Sequence, residues 1–174
     1  MPPTQSDEVH PAAWDCDQLL RECVVRRVRR SGPGGQHRNK VETGVVIRHQ
    51  PTGVAAEASE RRSLAENQRV ALTRLRINLA LNVRLAVDSN SPPSRLWQSR
   101  CQHGRIAVSP SHADFPPLLA EALDTIFANE MDVKASAQRL SSTSSQLIKL
   151  LKSEPSAITL VNTRRHELGM HRLK

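Results

Sequence analysis

Two short runs rich in β-branched residues, Cys23 to Arg29 and Thr43 to His49, predict strands in the first third of the chain, and a third run, Val54 to Ala58, completes a hairpin. The first is expected to carry its charges on one face. Gln50-Pro51-Thr52-Gly53 places Pro and Gly at the second and fourth positions of a type I turn and so joins the second and third runs as a hairpin. From Ser63 the spacing of apolar residues lengthens to that of a helix. Leu64, Ala71, Leu72, Leu75, Leu79 and Val83 predict one long helix reaching about Val87. Ser63-x-x-Glu66 marks its start as a capping box, in which the serine oxygen meets an orphan N–H and the glutamate reaches back to the cap. Ahead of the first strand, Trp14 to Glu22 fits a short helical turn, and residues 1–13 read as a loose tail.

The segment from Asp88 to Ser94, small, polar and with two prolines, ends the long helix and reads as a linker. Residues 95–112 are ambiguous, with Arg105 to Val108 a possible short strand. Beyond Asp114 and two prolines, Leu118, Leu119, Ala122, Leu123, Ile126 and Phe127 pattern a helix. Val133 to Leu140, a Ser/Thr break, and Gln146 to Lys152 outline a helix-turn-helix. Either a small packing module or a DNA reader fits that outline, the module being favoured because few side chains suited to reading bases are present. The predicted fold is α+β: a small antiparallel sheet with a long helix, followed by a mostly helical C-terminal module.

Between the first two strand runs lies Ser31-Gly32-Pro33-Gly34-Gly35-Gln36-His37-Arg38-Asn39-Lys40. Three glycines and a proline in five positions allow positive φ and close backbone approach to another molecule. Gln36 then offers a backbone N–H and a side-chain amide at the tip. Arg26, Arg27, Arg29 and Arg30 precede the loop and Arg38 and Lys40 follow Gln36, so the loop is ringed by cations that attract a polyanion.

Charge sharpens this reading. From Arg21 to Arg84 there are 14 Lys/Arg against 5 Asp/Glu, whereas the rest of the chain carries 11 against 12. The basic excess is thus assigned to the segment bearing the loop, as expected of a phosphate-contacting domain. Arg62, Arg69, Arg74, Arg76 and Arg84, mostly off the apolar stripe of the long helix, either solvate it or add to that surface. The chain has no tyrosine, and its two Trp and two Phe all lie outside the basic segment, which disfavours recognition by base stacking. Cys16, Cys23 and Cys101 form no C-x-x-C pair, so neither a disulfide framework nor a zinc finger is expected. Cys101, His103 and His112 are conceivable metal ligands, but no metal or other cofactor is expected. No run of 18 apolar residues or secretory leader occurs, and a cytoplasmic protein with no membrane partner is expected.

The residues from Ser31 to Lys40, together with Pro51-Thr52-Gly53, Glu57, Glu60-Arg61-Arg62-Ser63 and Asn67, resemble the catalytic domain of class I peptide chain release factors over about residues 22–85. The resemblance implies hydrolysis of the ester between a nascent peptide and transfer RNA in the peptidyl-transferase centre of the ribosome. It implies that Gly34 and Gly35 supply backbone shape and that Gln36 is the catalytic tip. In that family the glutamine N–H stabilises the developing oxyanion and the side chain bounds the pocket for water, consistent with the value of a donor aimed at transition-state charge. Arg26, Arg27, Arg29, Arg30, His37, Arg38, Asn39, Lys40, Arg61 and Arg62 are the expected RNA contacts, His37 being an RNA contact or a packing residue rather than a general base.

The layout is closest to the small ribosome-rescue peptidyl-tRNA hydrolases, since only about 22 residues precede the first strand and no codon-reading domain is expected there. The domains expected are a tail over 1–13, a catalytic domain over 14–88, a linker and irregular segment over 89–113 and a helical module over 114–174. The partners implied are the ribosome, through large-subunit RNA, and peptidyl-tRNA, met by a monomer. A binding protein for ribosomal or structured RNA without hydrolase activity is the alternative. A transcription regulator using the C-terminal helices is a weaker one.

Overall fold

The computed structural model describes residues 9–29, 43–88 and 91–174. The loop from Ser31 to Lys40, and the helical turn expected over Asn39 to Glu42, lie outside the described residues. The chain divides into two compact units, one of residues 11–82 and one of residues 83–174 together with the described residues 9–10. Among the described residues the architecture is α+β, with seven α-helices, a three-stranded sheet and a two-stranded hairpin.

In the first unit, β1 (Cys23–Val28), β2 (Gly44–His49) and β3 (Ala55–Ala58) form an antiparallel sheet in the order β1-β2-β3. Helix α2 (Leu64–Asn82) crosses one face. The alternation of side chains along a strand puts Val45 and Ile47 of β2, and Ala56 and Ala58 of β3 opposite them, on that face, where Ala71, Leu72, Leu75 and Leu79 bury them. The two alanines let helix and sheet approach closely. Each fully buried Leu or Ile contributes about 1.5–3 kcal/mol. A 3-10 turn at Pro11–Ala13 and helix α1 (Cys16–Arg21) precede the sheet. Residues 10–13 are therefore not loose: His10, Pro11 and Ala12 are buried, and the Ala12 carbonyl accepts from Arg76 Nε at 3.0 Å.

Two local expectations are corrected. The charges of β1 do not share a face, because adjacent Arg26 and Arg27 stand opposite Val46 and Val45 and so point to opposite sides of the sheet. The hairpin expected at Gln50 to Gly53 forms, with Gly53 donating its N–H to the His49 carbonyl at 2.9 Å and taking the left-handed φ of +72°. Helix α2 ends at Asn82, about five residues before the predicted end. There the Val83 carbonyl meets His10 Nε2 at 3.3 Å and Arg84 turns to Asp124 at 2.8 Å, tertiary partners that outweigh a continuing helical pattern.

The second unit is built on α4 (Phe115–Ala128), whose Leu118, Leu119, Leu123 and Ile126 are fully buried. Asp114 marks its start without capping it, because that carboxylate pairs with Arg100 at 2.6 Å. The stretch expected to be irregular holds helix α3 (Arg95–Arg100) and a hairpin of β4 (Cys101–Gln102) and β5 (Arg105–Ile106). Its two-residue turn, His103 at φ +50° and Gly104 at φ +77°, has the paired positive values of a type I′ turn. Trp97 is buried and donates its indole N–H to the Leu140 carbonyl at 2.7 Å.

Helices α5 (Val133–Arg139) and α6 (Ser144–Lys152) follow, capped by Asp132 and Thr143, and both contact α4. Helix α7 (Pro155–Glu167), capped by Glu154, packs on α6. The C-terminal residues fold back on α7: Asn162 Oδ1 accepts from Leu173 N at 2.8 Å and Arg165 Nε donates to His171 O at 2.8 Å. Among the described residues no helix is long and apolar enough to cross a membrane.

Candidate functional site

Strands β1 and β2 flank the segment that carries the Gly-Gly-Gln sequence, and their last pair, Val28 opposite Gly44, defines where it leaves the sheet. Gly44 is buried, and a Cβ there would meet Val28 Cγ2 at 2.7 Å and the Val28 carbonyl at 2.8 Å. Only glycine allows the two backbones to come this close.

Asn67, in the second turn of α2, holds the next residue back. It is fully buried, and its Nδ2 donates to the Thr43 carbonyl at 2.7 Å and to the Arg61 carbonyl at 2.9 Å. Its Oδ1 accepts from Arg61 N at 2.9 Å. One amide thus satisfies three backbone groups and ties the loop root to the segment from Ser59 to Ser63. The capping expected at Ser63 contributes too, with Glu66 N donating to Ser63 Oγ at 3.5 Å.

The same segment is braced by Glu60 and Arg74. Arg74 donates to Glu60 Oε1 at 2.6 Å and to the Glu57 carbonyl at 2.8 Å, and Ser59 N donates to Glu60 Oε2 at 2.9 Å. These backbone donors, and then Arg74, hold the Glu60 carboxyl below the usual carboxylate range. Glu60, next to Arg61 in the chain, is thus paired with Arg74, while the side chains of Arg61 and Arg62 are exposed.

Of the expected RNA contacts, Arg26, Arg27, Arg29, Arg61 and Arg62 are described and all are exposed. Arg61 is brought to the loop root through Asn67, and Arg27 and Arg29 flank Val28 at the end of β1. Arg26 shares the opposite face with Arg48, an exposed cation that the sequence did not single out. Arg30, Gly34, Gly35, Gln36, His37, Arg38, Asn39 and Lys40 lie outside the described residues.

The arginines expected to line the long helix differ in what holds them. Arg74, Arg76 and Arg84 hold Glu60, Ala12 and Asp124, and Arg62, Arg69 and Arg74 are exposed. Sequence patterning missed Asn67 as the residue that holds the loop root. Its signal was present, an amide four residues before Ala71 on a stripe otherwise apolar.

At the far end of β2, His49 is 1% exposed, accepts or donates at Nδ1 to Thr52 Oγ1 over 2.8 Å, and lies edge-to-face with Trp14 at 5.8 Å. Burial lowers its pKa, opposed by Glu22, and Nε2 is buried with no hydrogen-bond partner among the described residues. His49 is thus a packed imidazole whose charged form is disfavoured by burial. Among the described residues no group of three His, Cys, Asp or Glu could hold a metal ion.

Comparison with known proteins places this frame in a family. The RF-1 domain matches residues 19–109. The chain is 38% identical over 92 residues to peptide chain release factor 1 of Acidiphilium cryptum, covering 52% of this chain and 26% of the relative. It is 49% identical over 73 residues to peptide chain release factor 1 of Ureaplasma parvum, covering 41% and 20%. The chloroplastic peptide chain release factor PrfB1 of Arabidopsis thaliana is 53% identical over 51 residues, covering 29% and 11%. The chain spans about a quarter or less of the length of these relatives. The match covers the sheet, the long helix, the Gly-Gly-Gln segment between β1 and β2, and onward through α3 and the β4–β5 hairpin, and the chain belongs to the RF-1 domain family of peptide chain release factors.

Proposed function

We propose that the protein hydrolyses the peptidyl-tRNA ester in the peptidyl-transferase centre of the ribosome and does so without reading a codon, as a rescue factor for stalled ribosomes. The observation that carries the reading is the rigid root of the Gly-Gly-Gln segment, in which Gly44 seats β2 against Val28 and Asn67 ties Thr43 to Arg61. A root of this kind suits a loop that must present one donor at a defined position, since catalysis by positioning fails on small displacements.

In this reading Gly34 and Gly35 give the tip its backbone shape and the Gln36 N–H faces the developing oxyanion. The ester carbonyl is attacked by water, the leaving group is the ribose hydroxyl of the transfer RNA, and the Gln36 side chain bounds the water pocket. No cofactor or metal takes part. Arg26, Arg27, Arg29, Arg30, His37, Arg38, Asn39, Lys40, Arg61 and Arg62 contact ribosomal RNA. Residues 14–88 act as the catalytic domain, residues 89–113 connect it onward, and the module of residues 114–174 sets which complexes are engaged, in a cytoplasmic monomer.

The test is single-turnover release of peptide from peptidyl-tRNA on purified ribosomes carrying a stop codon, a sense codon or no codon. Equal release from all three is expected. A stop-codon preference of tenfold or more, equivalent to about 1.4 kcal/mol, rejects codon independence. Ribosome binding without release leaves the binding protein as the function.

A further inference from the structure

We propose that the β4–β5 hairpin and the exposed stripe of α6 form a second RNA-binding surface, one that grips the sugar-phosphate backbone without reading sequence. Residues 85–174 carry 11 Lys/Arg against 8 Asp/Glu, and the two signs are sorted along the chain. No carboxylate occurs from Cys101 to Ala113 or from Val133 to Ser153, the two stretches that supply the hairpin and the α5–α6 pair. The carboxylates that border them are engaged elsewhere: Asp114 pairs with Arg100, Asp132 caps α5 and Glu154 caps α7.

Hairpin and helix are joined into one surface. Gly104 bridges to Ser142, Ser142 Oγ donates to the Gly104 carbonyl at 3.1 Å, and Ile106 N donates to Gln146 Oε1 at 3.2 Å. Leu147, Leu150 and Leu151 turn into the core, which leaves Ser145, Lys149 and Lys152 as an exposed line one turn apart on α6. Arg105 and His103 are exposed on the hairpin beside it.

The same contacts decide the mode of recognition. In a DNA-reading helix-turn-helix the first residues of the second helix reach base edges, but here the hairpin is seated against that end and the Gln146 carbonyl oxygen is spent on Ile106. Trp97 and Phe115 are buried, so they offer no platform for stacked bases. Ammonium, guanidinium and hydroxyl groups remain, and these suit phosphate and sugar oxygens. The choice of RNA over DNA rests on the ribosomal function proposed above; the polyanion surface does not.

The test is binding of the full chain to a short mixed-sequence RNA duplex, and to a DNA duplex of the same sequence, across a salt series. Each of Arg105→Ala, Lys149→Ala and Lys152→Ala is expected to lower the slope of log K against log salt by about 0.7–1, and the triple variant by about 2–3. Arg164→Ala, whose guanidinium faces Glu167 at 2.8 Å, serves as the control and is expected to leave the slope unchanged. An unchanged slope in the triple variant, or an equal loss in Arg164→Ala, overturns the surface. Tighter binding to DNA with the same three-residue dependence overturns the assignment to RNA. Because the readout is binding alone, a protein inactive in peptide release still tests the surface, and a failed slope test leaves the release reaction standing.

Discussion

Asn67 reaches back 24 residues along the chain to hold Thr43, its Nδ2 lying 2.7 Å from the Thr43 carbonyl while its other contacts fasten Arg61. Three backbone groups depend on one buried amide. Asn67→Ala is expected to cost about 2–4 kcal/mol, because it strands partners that water reaches poorly. Asn67→Asp keeps the acceptor for Arg61 N but turns a carboxylate toward two carbonyls, so it is expected to be no milder. Urea unfolding of both variants measures this, and a loss below about 0.5 kcal/mol for each would show the contacts to be dispensable.

Gly44 poses a different constraint. An added Cβ meets both a side-chain methyl and a backbone carbonyl of Val28, and the carbonyl belongs to a paired strand. Gly44→Ala is expected to destabilise by about 1–3 kcal/mol. Val28→Ala removes the methyl but not the carbonyl, so the double variant should recover only part of the loss in thermal or urea unfolding.

For the chemistry, Gly34→Ala and Gly35→Ala are expected to abolish peptide release while ribosome binding persists, since each adds a Cβ where backbone shape is needed. Gln36→Pro, which deletes the N–H, should be far more damaging than Gln36→Ala, which keeps it. Single-turnover release by the two Gln36 variants decides the matter, and equal rates would remove the backbone donor from the mechanism.

The dependence of stability on pH should show two opposed groups near Arg84. Burial pushes His10 down to about 4 from 6.5, opposed by its bond to Val83 and assisted by Arg84. Between those values the unfolded chain holds a proton that the folded chain lacks, so His10 makes stability rise with pH and fall on acidification. Burial pushes Asp124 up to about 6 from 3.8, against the attraction of Arg84. There the folded chain holds the extra proton, so Asp124 makes stability fall as pH rises through that window. Each effect is about 3 kcal/mol at its full extent, and over about pH 4–6 they largely offset. Relative to the parent protein, His10→Gln should steepen the fall of stability with rising pH, and Asp124→Asn should steepen the rise. Urea midpoints across pH 4–7 measure both, and parallel curves for the variants and the parent would contradict the paired assignment.

Much of this was legible in the residues. The two β-branched runs became β1 and β2, the run after the turn became β3, and the Leu118 to Phe127 pattern became α4, whose apolar stripe is buried. The end of α2 was not legible: Val83 continues the stripe, and only the distant His10 and Asp124 reveal why the chain leaves the helix. Of the hairpin at Cys101 to Ile106 only the second strand was hinted at, since two-residue strands are too short for a period and His103 gives no sign of its positive φ. For the site, the sequence named the loop and its cations, but which of the later arginines are held by Glu60, Ala12 and Asp124 depended on the fold.

Trp14 belongs to the first unit and Trp97 to the second, and the chain has no tyrosine. Intrinsic fluorescence therefore contains one reporter for each unit. Trp14 lies edge-to-face against the His49 ring, while Trp97 is sealed with its N–H on Leu140. Trp14→Phe and Trp97→Phe would separate the two signals, so that the unfolding of each unit can be followed in one unlabelled sample and any difference in their order becomes visible by optical means alone.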